Sequence, residues 1–422
     1  ALSLSATVTP LEGWDITGEM KIRFDIENND LIMENNQKYE TPVGTFKPGD
    51  ATNQRQGFTY PGISWKNMYF GSYTRGSMFN YYLSPNVSSS YTHQWGDHFF
   101  KAMAGYQMEL KEDSQEYMYK DGMLSNDIYS FDNASGNVIA GEARSHWSTM
   151  GFYARLNWNY NNIYFLEFSG RYDGSSRFAS QYRWGTFPSF SAGWVVSEEK
   201  FMKNANIDWL SFLKLRTSWG MLGNERIGDN YFPYMALMTF NNALFYKDGA
   251  VVSEKTAAQR NLAVEDITWE TTTSTDIGVD LGFLNNRLRV TADYYWKKTK
   301  DMLLSIEIPY SMGYANPKNN AGKMSTTGFD LEISWNDRIN DFSYGISANL
   351  SDFKSKIDYL RNSDIISDGK VKRAGVLFNE WYGYVCEGIY QTQEEVDNSA
   401  TLNNQITVGD LKYKDISGPD GV

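Results

Sequence analysis

The 422-residue sequence has one cysteine, Cys386, and three histidines, His93, His98 and His146. A single thiol permits no intrachain disulfide, and Cys386 reads as a small, half-buried packing residue. His93 and His98 flank a short turn at a spacing that is no metal signature, and Cys386 is remote in sequence. No stretch of about 18 or more apolar residues exists, so there is no transmembrane helix. Cationic residues are in deficit: 39 Lys and Arg stand against 51 Asp and Glu, a formal net charge of −12. With no basic cluster interleaved with aromatics, nucleic acid is excluded as a partner. No signal peptide is visible either; the chain opens on the strand-like ALSLSATVTP and stops at PDGV, so both ends read as cut from a longer protein.

What is abundant is aromatic: 29 Tyr, 24 Phe and 13 Trp make up 16% of the chain. Yet mean hydropathy is −0.52, and much of the polarity is Asn, Ser, Thr and Gly. A chain this aromatic and this polar segregates the two kinds of residue onto opposite faces. Alternation does so in twelve segments, 2–9, 14–25, 77–92, 98–109, 148–160, 163–173, 183–197, 211–222, 269–284, 287–301, 325–336 and 342–352. Most exceed the five or six residues of ordinary strands and suit a tilted membrane strand of ~9–11 residues with some extension.

The connections are 10–13, 26–76, 93–97, 110–147, 161–162, 174–182, 198–210, 223–268, 285–286, 302–324, 337–341 and 353 to the end. Short and long alternate, with 198–210 read as a brief helical turn. In an antiparallel meander every second connection lies at the same end, so turns collect on one side and long loops on the other. Outer-membrane β-barrels have this asymmetry, with short periplasmic turns and long extracellular loops. A soluble sandwich has no reason to keep it.

One face carries Arg155, Glu167, Arg171, Lys214, Arg216, Asp276, Asp280, Arg289, Asp293, Lys297, Asp330 and Glu332. Unpaired charges are too costly for a dry core, so this face lines a wet or plugged lumen and the apolar face meets lipid. An outward aromatic girdle near the turns is then expected at Trp14, Tyr91, Phe100, Tyr160, Tyr164, Trp194, Phe283, Trp335 and Phe342. Register follows from the same demand. Glu167 and Arg171 point inward only if Tyr160 stands opposite Tyr164, with Ile163 absorbed into the Asn161–Asn162 turn. By contrast Asn285–Asn286 is expected as a true two-residue turn, pairing Leu284 with Arg287 inward and keeping Phe283 and Leu288 outward.

Little chemistry is encoded. His146, in RSHWS, is the one candidate for a lipolytic site on an outer face, and the chain is read as no enzyme. Asp415, Ser417 and Asp420 offer oxygens but lack the spacing of a calcium loop, so a Gly-rich extracellular turn is expected, with no metal or cofactor. The long loops carry Tyr60, Trp65, Tyr69, Phe70 and Tyr73, then Trp381, Tyr382, Tyr384 and Tyr390. Trp65, Tyr69, Tyr73, Trp381, Tyr382 and Tyr384 are the candidate contacts for sugar rings, apolar peptide side chains or a partner protein; self-packing of the loops is the alternative.

RYDGSSRF (171–178), RWGTFPSFSAGWVVSEEKFM (183–202), LKLRTSWGMLGNERIGDNY (213–231), WETTTSTDIGVDLGFLNNRLRVTADYYWKKTKDMLL (269–304), NNAGKMSTTGFDLEISW (319–335) and GDLKYKDISGPDG (409–421) occur in series. Together they resemble the barrel of the SusC/RagA family of TonB-dependent outer-membrane transporters of Bacteroidetes, strongly from about 150 onward and in pattern before that. NAGKM departs mildly, since Asn-Lys often precedes that Gly. The resemblance implies an all-β, 22-stranded transmembrane barrel, of which this chain supplies about 12–14 strands. It implies a plug domain inside the barrel, a SusD-like lipoprotein lid, energy from the TonB–ExbB–ExbD complex, and a glycan or oligopeptide as cargo. The family's leader, plug, TonB box and last strands are not in residues 1–422, which read as part of one barrel domain. Arg155, Glu167, Arg171, Arg289 and Asp293 would face the plug. The rivals are a passive porin or an outer-membrane binding protein without energy coupling, a barrel enzyme, and a soluble carbohydrate-binding β-protein.

Overall fold

A computed structural model of the chain describes residues 1–33, 72–124, 127–205, 207–228, 231–259, 261–361, 364–403 and 405–416. Its strands, in chain order, are β1 (Leu2–Leu11), β2 (Trp14–Met33), β3 (Ser72–Trp95), β4 (His98–Asp121), β5 (Ile139–Tyr160), β6 (Tyr164–Ser175), β7 (Trp184–Val195), β8 (Leu210–Asn224), β9 (Met238–Lys247), β10 (Ala250–Gln259), β11 (Glu270–Phe283), β12 (Leu288–Ser305), β13 (Lys318–Ile339) and β14 (Phe342–Leu360). Shorter pieces follow: β15 (Ile365–Ser367), β16 (Lys370–Lys372), β17 (Glu380–Trp381), β18 (Cys386–Ile389) and β19 (Leu411–Tyr413). Twelve strands form one sheet in the order β1 to β8 and then β11 to β14. Every strand expected from alternation is there, in its expected place. The 198–210 connection holds the short helix α1 (Lys200–Asn204), as expected.

The chain divides into two compact units, Ala1–Phe190 with Ile227–Met235, and Ser191–Arg226 with Ala236–Val422. In the first, the ladders from β1–β2 to β5–β6 are antiparallel, and residues on one face run Trp14, Tyr91, Ala102, Leu156 and Phe168 across the strands. In the second, β8–β11 to β13–β14 are antiparallel, and one face runs Leu215, Val279, Ala292, Leu331 and Leu350. Side chains on these faces are not covered: Phe24 is 60% exposed, Ile277 54% and Leu350 59%. A soluble β-protein would bury such a surface. Most buried apolar groups sit instead toward the long-loop ends, among them Met123, Phe178, Ile227, Ile267, Ala321 and Tyr390, while Val195 and Val196 are buried at the short-connection end of β7.

Tyr160 pairs with Tyr164, as the inward Glu167 demands. Asn161 and Asn162 adopt φ of +50° and +56°, and the Ile163 amide donates to the Tyr160 carbonyl at 2.9 Å. The β11–β12 turn keeps the expected Phe283–Leu288 pair. However, Leu284 leaves the ladder at φ +53°, its amide donating to the Trp209 carbonyl, so it is bent out of the strand and 44% exposed rather than paired inward. In the β1–β2 turn, Gly13 sits at φ +79° with its carbonyl accepting from Thr92 N at 2.7 Å, and a Cβ there would fall 2.2 Å from the Thr92 carbonyl oxygen.

Three expectations need correction. The strands run further on the long-loop side, so the connections expected at 26–76, 110–147 and 302–324 are closer to 34–71, 122–138 and 306–317. Past the apolar band both faces meet water, and ladder hydrogen bonds continue without alternation. The 223–268 connection is no plain loop: β9 and β10 form a hairpin closed by Asp248–Gly249 at φ +52° and +80°, the turn chemistry that a two-residue hairpin favours. Cys386 is exposed rather than half-buried, at the start of β18 in a two-stranded ribbon too small to cover it.

Candidate functional site

The polar faces are built as paired charge. In the first unit Arg155 Nε lies 3.5 Å from Glu167, which also accepts from Asn157 Nδ2 at 2.5 Å. Arg171 forks onto Asp173, Nε at 3.0 Å and Nη2 at 2.9 Å, and its guanidinium lies 5.4 Å from the centre of the Tyr153 ring. The Tyr153 hydroxyl donates to Asn86 Oδ1 at 2.8 Å. Alternation puts all of these on one side of β5 and β6, opposite Trp158 and Phe168.

In the second unit Arg216 is the hub. Its Nε and Nη2 donate to the two oxygens of Asp280 at 2.9 and 3.0 Å, and Nη2 also reaches Asp293 Oδ2 at 3.1 Å. Thr291 Oγ1 donates to Asp280 Oδ1 at 3.3 Å. Gly278 makes this possible: it stands opposite both Arg216 and Asp293, and a Cβ there would fall 2.1 Å from Asp293 Oδ1 and 2.9 Å from Arg216 Nη2. Asp293 is directly opposite Asp330, a like-charge pairing that costs stability unless a cation is near. Arg289, Asp330 and Glu332 make no hydrogen bond or ion pair among the described residues. Arg216 and Asp280 are thus at the centre of a network whose importance alternation alone did not mark; the pointer was Gly278 between Asp276 and Asp280.

The loop aromatics divide. Tyr73 is 4% exposed, its ring 4.7 Å from that of Phe131 beside Met123 and Ala134. As a contact for an external ligand it is corrected: Tyr73 lies at the start of β3, and its ring is consumed by packing on the β4–β5 connection. Trp381 is 80% exposed and Tyr384 70%. Lys370 Nζ lies 5.0 Å above the Trp381 ring, Arg373 lies 5.8 Å from the Tyr382 ring, and the Tyr384 and Tyr413 rings are 5.2 Å apart. Asp364, hydrogen-bonded to Arg373, raises the guanidinium above its ordinary range. Tyr390 is buried, its hydroxyl donating to the Ala400 carbonyl. Trp65 and Tyr69 lie outside the described residues, as do Ser417 and Asp420. His146 packs on Phe232 at 4.9 Å, and His98 Nδ1 accepts from Trp158 Nε1 at 3.2 Å.

Near the turns the aromatics gather on the apolar faces: His98, Phe100, Trp158, Tyr160 and Tyr164 form one run of ring contacts. Trp209 stacks on Phe283 at 5.9 Å. Residues 9–410 match the family described as TonB dependent receptor-like, beta-barrel. The chain belongs to this family of TonB-dependent receptor barrels. It is 30% identical to TonB-dependent receptor SusC of Bacteroides thetaiotaomicron over 349 residues, 80% of this chain and 34% of that protein. It is 25% identical to TonB-dependent receptor P3 of Formosa agariphila over 396 residues, 90% of this chain and 37% of that protein. The structure of the RagAB peptide transporter matches with a TM-score of 0.77 at 22% identity, over 92% of this chain and 40% of that one, which speaks for the fold. The chain therefore spans about a third of the length of these curated relatives.

The family match and the likeness to SusC put the chain on the SusC/RagA side of the TonB-dependent receptors, in the outer membrane of Gram-negative bacteria. In that setting the apolar faces are the ones lipid covers. The turns at Gly13, Gly96, Asn161 and Asn340 are periplasmic, and the long connections are extracellular.

Proposed function

We propose that this chain is the barrel part of a SusC-like importer that carries a large nutrient, a glycan or an oligopeptide, across the outer membrane with a SusD-like surface lipoprotein. On this reading residues 1–422 are part of a single barrel domain whose plug and terminal strands lie outside the chain. Energy comes from TonB–ExbB–ExbD acting on the plug, and no covalent chemistry occurs. The observation that carries the reading is the polar wall. Six of its twelve charges, Arg155, Glu167, Arg171, Arg216, Asp280 and Asp293, are neutralised sideways within the sheet, while Asp276, Arg289, Lys297, Asp330 and Glu332 have no ion-pair partner among the described residues. A barrel meant only to conduct ions needs no such paired wall. A wall that must hold a removable plug needs a few open charges on a pre-set background; Arg155, Glu167, Arg171 and Asp293 supply the paired background, and Arg289, with Asp330 and Glu332, the open charges. At the outer face, the exposed rings of Trp381, Tyr382 and Tyr384 stack on sugar rings, hold apolar peptide side chains or meet the lid protein.

The test uses the full-length protein in its native membrane. Uptake of labelled oligosaccharides and labelled peptides is followed with and without a functional TonB. Uptake of one class that stops without TonB is expected. Equal uptake in both strains identifies a passive pore and overturns the proposal. Replacing Trp381, Tyr382 and Tyr384 together by Ala should raise the half-saturating cargo concentration, or weaken lipoprotein retention, by tenfold or more while the barrel still assembles.

A further inference from the structure

The outward face of β12–β14 changes character at the upper edge of its apolar band. Reading across β11, β12, β13 and β14, one row is Val279, Ala292, Leu331 and Leu350, and the next is Ile277, Tyr294, Phe329 and Asp352. Above these come Thr275, Trp296, Thr327 and Lys354, then Thr273, Lys298, Ser325 and Lys356, and then Thr271 and Lys300. Four lysines therefore stand on the lipid side of the wall, immediately past Tyr294, Phe329 and Trp296, toward the extracellular loops. All four are exposed. Lys297, by contrast, is on the lumen side, 4.6 Å from the Tyr295 ring.

Strand spacing fixes the size of the patch. Lys298 and Lys300, like Lys354 and Lys356, are two residues apart, or about 7 Å, and the two pairs are two strands apart, or roughly 10 Å. Between them lie the hydroxyls of Ser325 and Thr327. None of the four lysines makes an ion pair or hydrogen bond among the described residues. Carboxylates beside the patch are Asp301, next to Lys300 in the chain, Asp352, below Lys354, and Asp358, which accepts from Ser325 Oγ. The patch keeps an excess of positive charge at the boundary between hydrocarbon and water. There a lysine lays its stem along apolar surface and presents its ammonium to the headgroup layer. Clustered lysines at that depth attract anionic lipid headgroups.

We propose that Lys298, Lys300, Lys354 and Lys356 form a binding site for the phosphate-bearing headgroup of an outer-leaflet glycolipid. The ammonium groups donate to phosphate oxygens, the Thr327 hydroxyl supplies a further donor, and the acyl chains lie along Tyr294, Phe329 and Leu350. The site rests on the membrane orientation of the barrel and not on its cargo.

The test places the full-length protein in phosphatidylcholine nanodiscs containing either phosphorylated lipid A or the same glycolipid with its phosphates removed. Native mass spectrometry counts the retained glycolipid. Wild type should retain the phosphorylated form at least tenfold better, and 0.5 M salt should erase most of that preference. Changing all four lysines to Gln should remove the preference, whereas changing all four to Arg should keep it. Lys247→Gln with Lys255→Gln, on the β9–β10 hairpin, should change nothing. Equal retention by wild type and the Gln variant overturns the proposal. So does displacement of the glycolipid by millimolar inorganic phosphate, which identifies a free-anion site instead. If the Gln variant fails to assemble, wild type against the dephosphorylated lipid, with the salt series, decides alone.

Discussion

Tyr160 stands directly opposite Tyr164 across the β5–β6 turn, their rings 6.3 Å apart on the lipid face. That one pairing sends Glu167 and Arg171 into the lumen. Deleting Ile163 keeps Tyr160 opposite Tyr164 across Asn161–Asn162 and should leave assembly intact. Deleting Ile163 and Tyr164 together brings Phe165 opposite Tyr160 and turns Glu167 and Arg171 to lipid. An arginine near mid-bilayer costs about 2–4 kcal/mol, so the double deletion should abolish the heat-modifiable, folded band of the full-length protein on gels. Assembly of both variants alike would refute the register.

Arg216 holds two carboxylates on the lumen face, Asp280 and Asp293, with side-chain exposures of 32%, 25% and 20%. Arg216→Met leaves both charges without their cation and should lower stability by about 2 kcal/mol, less than a dry buried pair would lose because water reaches the site. Arg216→Lys should rescue less than half, since an ammonium cannot fork onto Asp280 and reach Asp293 at once. Gly278→Ala should be as harmful as Arg216→Met, since its Cβ occupies the space of Asp293 Oδ1. Urea midpoints in detergent measure all three.

The strands crossing the apolar band were legible because each residue there faces either lipid or lumen. FYARLNW could only be a strand, and Glu167 fixed its register. Beyond the band that constraint ends. Lys111 to Glu116 belong to β4 through their ladder, but both faces meet water, and the sequence reads as loop. The β9–β10 hairpin has a local signal in Asp248–Gly249, but the surrounding stretch reads as a long loop. The Arg216 hub is different in kind: lumen charges are apparent from alternation, but which of them touch depends on the stagger of three strands. The burial of Tyr73 depends on Phe131, 58 residues away in sequence, and no local pattern reports it.

At the extracellular end of β11–β13 the Asn320 carboxamide completes a ladder that the backbone leaves open. It accepts from Thr268 N at 2.8 Å and donates to the carbonyls of Thr268 at 2.9 Å and Asp301 at 2.7 Å. Asp301 is a left-handed residue, φ +56°, within β12. Glu270 does a parallel job, accepting from Leu303 N at 2.9 Å. Asn320→Ala should cost about 1–3 kcal/mol locally. In hydrogen exchange the Thr268 amide should lose protection while the Leu303 amide keeps it. Asn320→Asp should be no better, because an acceptor replaces the donor facing two carbonyls. Unchanged exchange at Thr268 would remove Asn320 from this role.

The extracellular helix α2 (Gln393–Asp397) carries a pH-dependent clasp. Glu395 accepts from Gln391 N at 2.9 Å and from Lys412 Nζ at 3.0 Å, while its own amide donates to Thr392 Oγ1 at 3.2 Å. The Gln391 hydrogen bond first, and the Lys412 contact second, hold the Glu395 carboxyl below its ordinary range. The hydrogen bond to Glu395 raises Lys412 above its own. The lowered carboxyl gives stability that is present above the ordinary glutamate value, ~4.3, and is lost as pH falls through the folded value. The raised lysine gives stability that is present below its ordinary value, ~10.4, and is lost as pH rises through the folded one. Amide exchange over 391–398 should therefore be slowest between those limits, after correction for the intrinsic rate, and rise on either side. Glu395→Gln should remove the acid limb and the Lys412 limb together, because the two share one contact. An acid limb that survives in Glu395→Gln would assign it to another carboxylate.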